Sequence, residues 1–188
     1  MNKRYSLATL ALVAVLAACS TTNPSVGADP AAQRSSIDAD VNGALGKLYA
    51  QEAGSRAMVA KARGVLVFPG VVSAGFVVGG SYGKGELLVG GRPDGYYSTT
   101  AGSVGLLAGA DSKAVYILFM TEESLDKFRA SEGWTAGADA SVSVIKAGAD
   151  AGVDTQTMKQ PVVGYVLTNG GLMANVSIDG TKISRLAI

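Results

Sequence analysis

The stretch Gly79-Gly80-Ser81-Tyr82-Gly83-Lys84-Gly85-Glu86 fits two catalytic spacings at once. Residues 79–83 match G-x-S-x-G, which presents a serine nucleophile on a strand-to-helix elbow. Residues 81–84 match S-x-x-K, which sets a serine one helical turn from a lysine. The elbow needs an imidazole to take the serine proton, and the chain contains no histidine. It also needs a helix after the serine, whereas Gly85-Glu86-Leu87-Leu88-Val89 reads as a strand. S-x-x-K recurs at Ser124/Lys127 and Ser143/Lys146, and neither S-D-N nor K-T-G accompanies it. A phosphate loop fails on spacing, because Val78 stands where its first glycine belongs and Gly85 where its hydroxyl belongs. The chain is therefore not expected to be an enzyme. The glycines read as a tight turn between two strands, with Lys84 at the tip.

Metal chemistry is equally thin. Asp38-Ala39-Asp40-Val41-Asn42-Gly43 matches the first half of a calcium loop, but Tyr49 occupies the position of the bidentate glutamate. The same residues fit an amphipathic helix with two acids near its start. Cys19 is the single cysteine, so neither an intrachain disulfide nor a His/Cys zinc site can form. No cofactor is expected.

Behind these motifs lies a processed chain. Lys3 and Arg4 precede a short apolar run over residues 7–16, too short to span a bilayer. Leu16-Ala17-Ala18-Cys19 resembles a bacterial lipobox. That resemblance implies a signal peptide over residues 1–18, lipidation at Cys19 and a permanent membrane anchor. Multiple acyl chains hold far more firmly than one. Ser20 after the cysteine implies the outer membrane by analogy with enteric bacteria. Removing the signal leaves 14 basic against 15 acidic side chains, a balance that does not suit nucleic acid. Residues 19–34 read as the acylated cysteine and a flexible tether. Residues 35–188 suffice for one domain with a real core.

The elements follow from pattern. Ser35 or Ser36 can cap a helix beginning near Ile37, with Ile37, Val41, Leu45, Leu48 and Tyr49 at helical spacing. Ser55 can cap a second helix over residues 56–63, ended by Gly64. Strand-like runs follow, with turns expected at Pro69-Gly70, Gly83-Lys84 and residues 92–95. Residues 114–121 form a continuous apolar run, and Thr121 can cap a helix over residues 122–130 with Leu125 and Phe128 inward. Residues 140–145 alternate like a strand. A terminal meander turns at Asn169-Gly170 and Asp179-Gly180. The fold expected is α+β: N-terminal helices packed on a mostly antiparallel, Gly-rich curved sheet or barrel-like sandwich, with one inserted helix.

Several short segments together resemble the SYLF domain. They are Ala62-Arg63-Gly64, residues 65–69, residues 74–85, Tyr97-Ser98, Gly102-Ser103-Val104-Gly105, residues 116–128, residues 137–144 and residues 171–180. The likeness covers residues 37–188. Three departures thin out basic and polar groups. Ser73 replaces a common lysine, Leu107 a common glutamine, and residues 145–154 lack a G-P-x-G element.

The resemblance implies a lipid-binding module. In eukaryotes the family binds phosphoinositides with help from an N-terminal amphipathic helix, and some members bind actin. Actin is not an expected partner in a bacterial envelope, where membrane lipids are. Ile37, Val41, Leu45, Leu48 and Tyr49 are then the apolar lipid-binding candidates, although the same stripe fits burial on a sheet. Lys47, Arg56, Lys61, Arg63 and Lys84 are the headgroup candidates, each adding about 1 kcal/mol near an anionic surface. The alternative is a structural envelope protein acting through protein–protein contacts without a lipid site.

Overall fold

The computed structural model describes residues 29–75, 78–104, 109–145, 159–168, 171–172 and 178–188. The signal peptide, Cys19, Leu107, residues 146–154 and Asn169-Gly170 lie outside the described residues. Every element below falls between Pro30 and Arg185.

Helix α1 spans Pro30–Gln51. The Asp29 carboxylate accepts from the Ala31 N–H at 3.0 Å, and Pro30 fills the first turn where its missing N–H costs nothing. This Asp-Pro start outcompetes the expected serine cap at Ser35 or Ser36, and residues 30–34 of the expected tether are helical. Residues 38–49 are continuous helix, so the D-x-D-x-N-G acids lie along a cylinder and not around a loop. Helix α2 spans Ser55–Lys61 and has Gly54, not Ser55, at its N-cap. The Ser55 hydroxyl instead donates to the carbonyls of Glu52 at 2.7 Å and Leu48 at 3.2 Å, fixing the corner between the helices. Gly64 does not end α2; it opens the first strand.

The strands are β1 Gly64–Gly75, β2 Val78–Val89, β3 Arg92–Val104, β4 Gly109–Phe119, β5 Trp134–Thr135, β6 Ser143–Ile145, β7 Val162–Thr168, β8 Gly171–Leu172 and β9 Lys182–Arg185. Among the described residues they form one curled sheet, ordered β5-β9-β3-β2-β1-β4-β7-β6, with β8 beside β7. All pairs are antiparallel except β6 with β7. The sandwich alternative is corrected accordingly: one sheet is covered on both faces. β9 pairs with β3 and β5, so the chain end crosses the sheet instead of closing a local meander.

Alternation along the central strands builds two cores. Val65, Val67, Tyr116, Leu118, Val163 and Tyr165 meet α1 and α2 on one face. Leu66, Phe68, Leu87, Ile117, Phe119 and Val166 meet Leu125 and Phe128 on the other. Both faces are buried, which is why β1, β4 and β7 read as unbroken apolar runs. Helix α3, Glu122–Ala130, has the expected bounds, and the Thr121 hydroxyl accepts from the Ser124 N–H at 3.2 Å. Its Arg129 forks onto Asp94 at the start of β3.

Two turns expected from sequence are not turns. Pro69-Gly70 is a bulge within β1: Val67 pairs with Glu86 and Val72 with Tyr82, so β1 carries one extra residue. Gly83-Lys84 lies mid-strand in β2, paired with Thr99 and Ser98. Gly83 and Gly85 are there because the bulged strand crosses close by. A Cβ on Gly85 would stand 2.1 Å from the Val67 carbonyl oxygen, and one on Gly83 3.0 Å from that of Gly70. The β2–β3 reversal falls on Gly90-Gly91, at φ 58° and 76°, which suits a two-residue hairpin loop better than the following Arg-Pro-Asp-Gly.

Candidate functional site

The bulge decides which side chains reach the surface beside α1. Before it, Val65 and Val67 face the helix; the extra residue inverts the alternation, so Val72 and Ala74 do. On β2 the same face carries Val78, Tyr82, Lys84 and Glu86. Under the helix this face is buried. Beyond the helix it is open, and Val72, Tyr82 and Val78 are 52%, 48% and 71% exposed. They are the exposed large apolar side chains among the described residues. A shallow hollow of about 510 Å³ runs along Val72 and Tyr82, past Ala74 and Gly80 to Gly70 and Lys84.

At Gly70 and Lys84 that hollow meets a groove of about 770 Å³ between α1 and the sheet. One flank of α1 forms its wall, from Gln33 through Asp40 and Gly43 to Lys47 and Gln51. Pro69, Ala114 and Leu167 lie on its sheet side, with Lys84 at the rim. Among the described residues no carboxylate pairs with Lys47 or Lys84. Lys84 donates to the Gln33 side chain at 3.5 Å, the outer limit of a hydrogen bond. The groove is therefore cationic over an apolar bed. Gly43 adds room: a Cβ there would meet nothing within 4 Å. Glycine in mid-helix costs about 1 kcal/mol relative to alanine, and packing against the sheet does not account for it.

Glu86 lies nearby but underneath α1. It is 2% exposed, and its Oε1 has no hydrogen-bond partner among the described residues. Burial pushes its carboxyl up to about 7, and the charge of Asp38 adds to the effect. Asp38 itself accepts from the Tyr96 hydroxyl at 2.9 Å, which ties α1 to β3. The Tyr116 hydroxyl donates to the Ala44 carbonyl at 2.8 Å and holds the middle of the helix.

The residues proposed from sequence separate into groups. Ile37, Val41, Leu45 and Leu48 are buried on the sheet, and of the four Ile37 also borders the groove. Tyr49 is half-buried at the edge of the same core, with the Arg56 guanidinium 4.3 Å over its ring. Arg63 pairs with Glu122 at 3.5 Å. Lys61 sits in the last turn of α2. Lys47 and Lys84, distant in sequence, line one groove together with Ile37. Lys113 also borders the groove, but it pairs with Val71 and its side chain leaves the face of the sheet opposite α1. Val72, Tyr82 and Val78 were hidden in the sequence: Val72 reaches this face only because of the bulge, and Tyr82 and Val78 are open because they lie beyond the helix.

Catalytic geometry does not assemble at the two S-x-x-K pairs described in full. Ser81 and Lys84 point to opposite faces of β2. The Ser124 hydroxyl donates to the carbonyls of Thr121 and Pro161, and Lys127 pairs with Glu123 at 2.7 Å.

Residues 100–186 match the model of the Ysc84 family, described as Las17-binding protein actin regulator. The matched segment includes Lys113, β4, α3, β7 and β9, whereas α1, Lys47 and Lys84 precede it. Comparison with curated proteins finds no match.

Proposed function

We propose that this chain, a SYLF-family protein by its match over residues 100–186, binds membrane surfaces through the β1–β2 face and the lysines beside it. The observation that carries this is the apolar set Val72, Val78 and Tyr82 standing next to Lys84, which has no carboxylate partner among the described residues. An amphipathic patch of this kind buries hydrocarbon and meets anionic headgroups at once. The α1 stripe is not the membrane element; it is spent on the core. The lipobox supports an envelope lipoprotein held by Cys19, probing its own or an apposed outer-membrane surface at high effective concentration.

The test is flotation of the chain from Ser20, which keeps every described element, with phosphatidylglycerol-containing vesicles. Binding should weaken with salt. Lys84→Ala should weaken it roughly fivefold, the loss of about 1 kcal/mol at an anionic surface. Arg63→Ala, already paired with Glu122, should leave it unchanged. No binding at low salt would overturn the proposal and favour a protein-contact role.

A further inference from the structure

We infer that the β1–β2 face engages the bilayer that holds Cys19, and not an apposed one. The inference rests on the membrane function proposed above, its anchor at Cys19 included, and names which surface that face meets.

Two placements carry it. Helix α1 and the exposed side chains Val72, Val78 and Tyr82 lie on the same face of the sheet. The chain also enters the helix beside them. The Lys84 ammonium donates to Gln33, one turn from the Asp29 cap, and Tyr82 is the next residue on that face of β2. Leu125 and Phe128 of α3 cover the opposite face. A bilayer brought against Val72 and Tyr82 is therefore on the side from which the chain leads back to Cys19. For an apposed bilayer to meet them, the chain would have to pass round the edge of the sheet and beyond the α3 layer before reaching its anchor.

Lengths agree. Along β2, Lys84 to Val78 is about 20 Å. Residues 19–28 precede Asp29. Covalent geometry limits a segment of that length to about 35 Å, and a random coil of the same length averages about 18 Å. Reach thus matches the span from the start of α1 to the far end of the apolar set, the condition under which effective concentration is greatest, on the order of millimolar. Three apolar side chains and one lysine make a weak contact in free solution, yet at that concentration it is filled. The face carrying α3 is then turned away from the membrane.

The chain from Cys19, which has no other thiol, is coupled to vesicles of phosphatidylcholine, phosphatidylglycerol and a maleimide-bearing phosphatidylethanolamine. It is compared with the chain from Ser20 at a salt concentration that leaves the latter free. Coupling should slow hydrogen–deuterium exchange at the amides between Val78 and Lys84 by about tenfold or more. Labelled vesicles without maleimide lipid should not be captured. Val78→Asp, at a side chain 71% exposed, should remove the protection in the coupled chain. A spacer of about thirty prolines after Ser20, roughly 90 Å long, should reduce it as well. Unchanged exchange on coupling, protection that survives Val78→Asp, or capture of labelled vesicles by the chain of native length would overturn the inference. If the chain from Ser20 still floats with vesicles at low salt, the membrane function stands without it; if it does not, that function falls too.

Discussion

Leu48→Ala is expected to lower stability by about 2–5 kcal/mol, the range for deleting a buried leucine side chain. Leu48 is fully buried between α1 and the sheet, in one cluster with Val41, Met58, Val67 and Tyr165. The cavity cannot collapse easily, because the Tyr116 hydroxyl fixes the α1 backbone at Ala44 and the Ser55 hydroxyl holds the carbonyl of Leu48 itself. For a domain of this size such a loss lowers the melting midpoint by roughly 5–15 °C. Thermal unfolding followed by circular dichroism measures it. A helix kept free for membrane insertion would give the opposite pattern: an unchanged midpoint and weaker vesicle binding. That pattern would place the apolar stripe of α1 back among the lipid contacts.

Stability should also fall as pH rises from about 4.5 to about 7, by on the order of 2 kcal/mol, because of Glu86. The folded carboxyl holds its proton up to about 7, whereas the unfolded one releases it near its ordinary value of 4.5. Within that window the folded state binds more protons, so raising pH favours unfolding. Above it both states are ionised and the slope vanishes. The cause is local: Glu86 is sealed under α1, its Oε1 is unpartnered among the described residues, and Asp38 adds a like charge. Arg34 acts on Tyr96, which shares the cluster. Urea unfolding across the window should show the slope in the native chain and a flatter profile in Glu86→Gln, with the variant the more stable of the two above pH 7. Equal slopes would assign the pH dependence to other groups.

Much of the fold was legible where a local signal met no competitor. Helix α3 had its cap at Thr121, its inward pair Leu125 and Phe128, and its first-turn acids, and its bounds follow. The continuous apolar run over residues 114–121 read as a buried strand, and β4 is covered on both faces. What misled were glycines and prolines whose role depends on a neighbour strand. Pro69-Gly70 and Gly83-Lys84 look like turns, yet the first is a bulge and the second lies beneath it, where Gly85 leaves space for the Val67 carbonyl. A backbone crossing between residues nearly twenty apart has no signature within either segment.

The candidate site was half legible for the same reason. The α1 stripe was visible, but periodicity does not distinguish a face against a sheet from a face against a membrane. Lys47 and Lys84 were visible singly; their convergence required the packing of α1 across β1 and β2. The exposure of Val72 follows from the inverted alternation after Gly70, which a strand pattern read without the bulge assigns to the other face.

The account's central claim is that the β1–β2 face meets the membrane while α1 stays on the sheet. Hydrogen–deuterium exchange of the chain from Ser20, with and without phosphatidylglycerol vesicles, tests it most directly. Vesicles should slow exchange at the described amides between Gly70 and Lys84 and leave the protected amides around Val41, Leu45 and Leu48 as slow as before. Faster exchange along α1 on vesicle addition, with residues 70–84 unchanged, would mean that the helix leaves the sheet to bind lipid, and would contradict the account.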